Sequence, residues 1–128
     1  MVNPIIDTKW LTKVLMDGGS SLNIMYAETF DAMGIDRVRI RPIGVPFDGI
    51  VLGKQAVPLG QIDLPITFID PTNYRTETLI FEVVGFHRTY HAILGHPCYA
   101  KFMAIPNYTY LKLKIQSPRG VIIVSTSF

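Results

Sequence analysis

KVLMDGGSSLN, Lys13 to Asn23, is an apolar run, Val14-Leu15-Met16, that stops at a single Asp17 and falls at once into two glycines and two serines. The run has the length and composition of a short buried strand, and residues 17–21 have the composition of a turn. Asp and Gly both accommodate the backbone angles of turns, so a plain strand-ending turn accounts for these residues. A second reading is that the turn exists to present the carboxylate of Asp17. The rest of the chain has to decide between them.

The chain has 128 residues, which predicts one domain, 1–128, large enough to bury a core without disulfides or metals. Hydrophobic residues make up 48% and charged residues only 17%, so some apolar surface is expected to meet a partner chain. The net charge of +2 is too small for the concentrated basic stripe of a nucleic-acid or membrane partner, and neither is expected. Arg37, Arg39 and Arg41 alternate, and period two reads as the solvated face of an extended strand. Cys98 is the only cysteine, which excludes a disulfide framework and fits a reducing, intracellular setting. It reads as a small buried residue, and Trp10 as a packing residue. His87, His91 and His96 lie close in sequence but have no carboxylate or thiol at ligand spacing, so no metal or other cofactor is expected. No signal peptide or membrane-spanning run is present.

Outward from Asp17 the chain reads mostly as strands. Residues 2–7 and 11–16 form a first pair, 61–68 and 77–84 a second around the turn Asp70-Pro71-Thr72-Asn73, and 111–115 and 121–125 a third. Tyr26 to Met33 has apolar residues at helical spacing, and Gly34 is placed to end it. Residues 43–60 are punctuated by Gly44, Gly49, Gly53 and Gly60, the pattern of a loop or hairpin that lies close to another backbone. Late in the chain Ala92-Ile93-Leu94 precede Gly95, and Pro97 opens a short helix that runs to about Ala104.

Two apolar strands, one running into the Asp17-Gly18-Gly19 turn and one into Gly95, with a glycine-punctuated segment between them, make the chain similar to a retropepsin. These are the aspartic protease domains of retroviruses and long-terminal-repeat retrotransposons, and the likeness is greatest to gypsy-class elements of plants. Residues 14–21 stand at the position of the catalytic loop. Asp48, Gly49, Ile50, Val51, Leu52 and Gly53 stand at the flap, and Ile93, Leu94 and Gly95 at the second apolar-apolar-Gly motif. The resemblance implies a mainly β fold: a closed barrel with a flap hairpin and one or two short helices.

It also implies a chemistry. Aspartic proteases use two carboxylates that share one proton, and this chain offers one such loop, so a homodimer would bring Asp17 against its copy. Gly18, Gly19 and Ser20 would support the loop, Gly19 through its N–H and Ser20 through a hydroxyl bonded to the outer carboxylate oxygen. The flap would fold over an extended peptide from the element's own polyprotein, in a cytoplasmic retrotransposon particle. Gly18 departs from the family pattern, which places Thr or Ser there to bond across the dimer axis. Two alternatives therefore stay open: a catalytically weak or inactive dimer that serves as a scaffold or peptide-binding module, and a small assembly barrel in which Asp17 is only a turn residue.

Overall fold

A computed structural model describes residues 2–42, 58–85, 90–107, 112–117 and 119–125. In chain order the strands are β1 (Ile5–Ile6), β2 (Lys9–Trp10), β3 (Val14–Met16) and β4 (Asn23–Tyr26), followed by helix α1 (Ala27–Ala32). Next come β5 (Pro58–Asp70), β6 (Asn73–Val84) and β7 (Ala92–Leu94), then helix α2 (His96–Phe102) and β8 (Ile105–Asn107), β9 (Lys112–Ser117) and β10 (Gly120–Ser125). Among the described residues no helix is long and apolar enough to cross a membrane.

The β5–β6 hairpin is the spine, and its sequence shows why. Ile62, Leu64, Ile66 and Phe68 alternate on β5 with polar or half-buried neighbours, and Leu79, Phe81 and Val83 face them from β6. The Asp70 carboxylate caps the tight connection by accepting the Thr72 N–H at 2.8 Å and the Thr72 hydroxyl at 2.9 Å. Seven strands join in the order β2-β1-β5-β6-β4-β7-β3, with β3 parallel to β7 and β4 parallel to β6. This sheet is a curled half-barrel. Among the described residues its edges meet at the isolated bridge Val2–Val14, and the closed barrel expected from the sequence is not traced through them.

A second sheet, β10-β9-β8, packs Leu113, Ile115 and Ile122 into the same core. Its strand β10 donates the Ile123 N–H to Asp70 at 3.1 Å, joining it to the hairpin tip. Helix α2 is tied down by Arg75. This guanidinium donates to the carbonyls of Lys101, Phe102 and Gln116 at 3.0, 2.9 and 2.7 Å and pairs with Glu77 at 3.0 Å. Two of those carbonyls, Lys101 and Phe102, lie at the helix C-terminus, where a cation is favoured. Phe102 meets Phe68 edge to face, with ring centroids 4.9 Å apart, a contact that contributes about 0.5–1.5 kcal/mol beyond its buried area.

Two local readings are corrected. Arg37 and Arg39 lie in a 3₁₀ turn rather than on an extended strand, because Asp36 accepts the Val38 N–H at 2.9 Å and closes the chain on itself. The arginines then diverge, Arg37 to Asp31 at 2.7 Å and Arg41 to Asp63 at 3.0 Å. Trp10 does not pack in the core; it sits on the edge strand β2 with 64% of its surface exposed. Helix α1 is as expected within one residue at each end, and Gly34, at φ +76°, ends it in a conformation that glycine adopts without strain.

Candidate active site

Asp17 lies one residue beyond β3, and its backbone N–H still pairs with the Leu94 carbonyl of β7 at 2.9 Å. The chain then reverses: the Ser20 N–H donates to the Asp17 carbonyl at 3.0 Å, and the Gly19 N–H donates to the Asp17 side chain, Oδ1, at 3.0 Å. A Cβ on residue 19 would stand 3.3 Å from that same oxygen, so glycine leaves the carboxylate room. Asp17, Gly18 and Gly19 are exposed, and among the described residues the second Asp17 oxygen has no hydrogen-bond partner.

The segment after this turn and the start of α2 interlock directly. The His96 N–H donates to the Ser20 carbonyl at 2.7 Å, and the Gly95 N–H donates to the side-chain oxygen of Asn23 at 2.9 Å. A Cβ at position 95 would collide with the Leu22 carbonyl oxygen and lie 2.7 Å from that of Ser20, so this approach needs glycine. Asn23, 1% exposed, also donates through Nδ2 to the Ile80 carbonyl at 3.2 Å, tying both motifs to β6. The sequence reading missed Asn23. Its one signal was a polar residue at the head of an otherwise apolar strand.

Ser20 does not reach the carboxylate. Its hydroxyl donates to the Leu22 carbonyl at 2.8 Å and accepts the Leu22 N–H at 3.3 Å, so it closes a local turn instead of orienting Asp17. Gly18 faces the ring of Tyr99 on α2, and an added Cβ would meet that ring at 3.6 Å, an ordinary contact. Of the predicted site residues, Asp17 to Ser20 and Ile93 to Gly95 are therefore brought together. The flap segment, residues 48–53, lies outside the described residues.

Cys98 is buried on α2, its N–H donating to the Gly95 carbonyl at 3.0 Å, and desolvation pushes its thiol up to about 12, which suits a packing residue and not a nucleophile. His91 Nδ1 lies 2.7 Å from the Thr12 carbonyl, and His96 is exposed. A cavity of about 680 Å³ lined by Trp10, Tyr26, Met33, Tyr90 and His91 opens at the far end of β3, and none of its lining residues belongs to the Asp17 turn.

The strand register also defines what lies beside Asp17. Leu15 pairs with Ile93, Ile93 with Ile24, Ile24 with Glu82, and Glu82 with Gln61, one unbroken row across five strands. Residues directly opposite on adjacent strands share a face. The flanking residues Met16, Leu94, Met25, Phe81 and Val83 are all in the core, so this row is on the other face. Asp17 is two residues beyond Leu15 and by strand alternation emerges on the same side as the row.

Neither a family model nor a curated relative matches the chain. Solved structures do share its fold, two of them as follows. The retroviral protease-like domain of Ddi1 from Leishmania major has a TM-score of 0.68 and 16% identity, covering 97% of this chain and 90% of that one. A retropepsin-like aspartic protease from Rickettsia conorii has a TM-score of 0.59 and 12% identity, covering 98% and 80%. The chain thus has the retropepsin-like fold of aspartic protease domains. At these identities the likeness is one of fold.

Proposed function

We propose that this chain, as one domain over 1–128, is half of an aspartic endopeptidase that becomes complete when two copies pair about a twofold axis. The observation that carries the reading is the Asp17 carboxylate, exposed at the end of the parallel β3–β7 pair and held by the Gly19 N–H at 3.0 Å. A turn residue of no further use would not need two interlocked motifs behind it.

In the pair, two carboxylates close together share one proton, and their titration belongs to the dyad. The ionised Asp17 takes a proton from a water as its oxygen attacks the scissile carbonyl carbon. The protonated Asp17 of the second copy gives its proton to the carbonyl oxygen, producing a gem-diol. The dyad then reverses: one carboxyl protonates the amide nitrogen, the other recovers a proton from a diol hydroxyl, and the C–N bond breaks. No metal or cofactor enters these steps. The half-buried aliphatic row beside Asp17 supports an extended peptide substrate. The resemblance of the sequence to plant gypsy-class elements supports the element's own polyprotein as its source and an intracellular particle as its setting.

Gly18 favours a second reading, a peptide-binding or scaffolding dimer of low activity, because it removes a hydroxyl from the axis. Polyprotein-derived peptides incubated with wild type and Asp17→Asn separate the two. Hydrolysis by wild type that vanishes in a folded Asp17→Asn chain, falls on dilution through the dimer dissociation constant, and is poisoned by excess mutant chains is expected. Hydrolysis that survives in Asp17→Asn would remove Asp17 from the chemistry.

A further inference from the structure

The row that leads away from Asp17 ends in an anomaly. Glu82 is 3% exposed, its Oε1 accepts the Gln61 amide at 2.6 Å, and its Oε2 is buried with no hydrogen-bond partner among the described residues. Its chain neighbours Phe81 and Val83 occupy the core, so by alternation the carboxylate belongs to the same face as Ile24, Ile93 and Leu15. An acceptor left unsatisfied in such a place costs more than any other residue in the row, and a fold that only needed a strand here would have taken an aliphatic.

We infer that Glu82 is a specificity-determining residue, the floor of a subsite that takes a Lys or Arg side chain of the peptide. The inference rests on the endopeptidase reading and names its substrate class: extended peptides with an apolar side chain over Leu15 and Ile93 and a basic one further along. A cationic side chain supplies what Oε2 lacks, a donor and a counter-charge together, while Oε1 stays with Gln61. Its aliphatic stem lies along Ile24, as long basic side chains do on apolar surface. From Leu15 to Glu82 is three strand steps, about 14 Å, so the basic residue sits within about four positions of the scissile bond of an extended peptide. Aspartate in the substrate is rejected there by like charge, and leucine leaves Oε2 unpaired.

The test uses peptides with one apolar pair at the centre, each of the four positions on either side set in turn to Lys, Arg, Leu or Asp. Cleavage is measured with wild type, Glu82→Gln and Glu82→Leu, and binding of the same peptides with Asp17→Asn. One position is expected to favour Lys or Arg over Leu by about tenfold or more in kcat/KM and in binding. That preference shrinks in Glu82→Gln and inverts in Glu82→Leu, whose thermal melts show both to be folded. A Lys or Arg preference that survives in Glu82→Leu, or none at any position, overturns the inference. Should wild type cleave nothing while Asp17→Asn still binds with the Glu82-dependent preference, the protease reading fails and the subsite stands. Should Asp17→Asn bind none of the peptides, the subsite fails.

Discussion

Asn23 is the place to strike if the interlock behind Asp17 sets the local fold. Asn23→Ala removes an acceptor from the Gly95 N–H at 2.9 Å and a donor from the Ile80 carbonyl at 3.2 Å, at a position 1% exposed. Leaving the buried N–H unpaired costs about 1–3 kcal/mol, and the half-buried carbonyl about 1 kcal/mol more. The expected loss is therefore about 2–4 kcal/mol, a large share of the stability of a domain this size. Urea denaturation at fixed protein concentration, since the proposed pairing would contribute to apparent stability, should move its midpoint down by roughly 1–2 M for a slope of about 2 kcal/mol per molar. Asn23→Leu distinguishes the cause. Its side chain fills the space but bonds to nothing, so it should be no more stable than Asn23→Ala if the hydrogen bonds matter. Recovery to within about 1 kcal/mol of wild type in Asn23→Leu would show that the residue fills volume only, and the interlock account would be wrong.

Gly95→Ala should be worse than ordinary overpacking, which costs about 1–3 kcal/mol, because the new Cβ meets the Leu22 and Ser20 carbonyl oxygens; an unchanged melting temperature would refute the close approach. Gly18→Thr should fit, since the atoms nearest its Cβ are those of the Tyr99 ring, at 3.6 Å or more, and its φ lies outside the left-handed region. In the proposed pair, two hydroxyls bonding across the axis should lower the dissociation constant by roughly tenfold or more, and sedimentation showing weaker association would contradict the hydrogen-bond account. Cys98 should resist a thiol reagent at pH 8 until urea unfolds the chain. Because its thiol titrates near 12 in the folded state against an ordinary value of 9.0, the unfolded chain loses that proton first. Stability should then fall as pH rises from 9.0 toward 12; a Cys98→Ala chain with the same alkaline slope would assign that loss elsewhere.

The parts of the fold legible in the sequence are those written in a repeated period. Ile62, Leu64, Ile66 and Phe68 announce β5 because every second residue must enter the core, and Asp70 to Asn73 announce its turn. Pro97 marks the start of α2 for a reason local to one residue. Asn23 was not legible, since a single buried amide has no period and its partners are 57 and 72 positions away. The three arginines misled for the opposite reason. They do alternate, but one Asp36 side chain accepting a backbone N–H two residues on is enough to turn an extended reading into a 3₁₀ turn. Trp10 misled because composition cannot tell an aromatic in a core from one on an edge strand. Ser20 stands at the expected place in the loop, yet whether a hydroxyl bonds forward or back depends on a rotation that sequence does not encode.

The position of Asp17 is set within the chain, whereas the chemistry proposed for it needs a second copy, and the two should fail in different ways. Four hydrogen bonds, from Asp17 to Leu94, His96 to Ser20, Gly95 to Asn23 and Asn23 to Ile80, fix the turn without any partner. A change at any of them acts on folding, and its effect does not depend on how concentrated the protein is beyond the linkage to pairing. In the proposed pair the proton that the dyad shares requires a second copy, so a change at Gly18, which lies on the exposed side of the turn, acts on association and shows most strongly in dilute solution. The three atoms nearest to a Cβ built at Gly18 all belong to the Tyr99 ring, the closest at 3.6 Å, a distance a threonine can keep. The carboxylate is held by the Gly19 N–H within a single chain, so in the proposed pair an encounter between two copies would start from oriented groups and have only the axis itself to form.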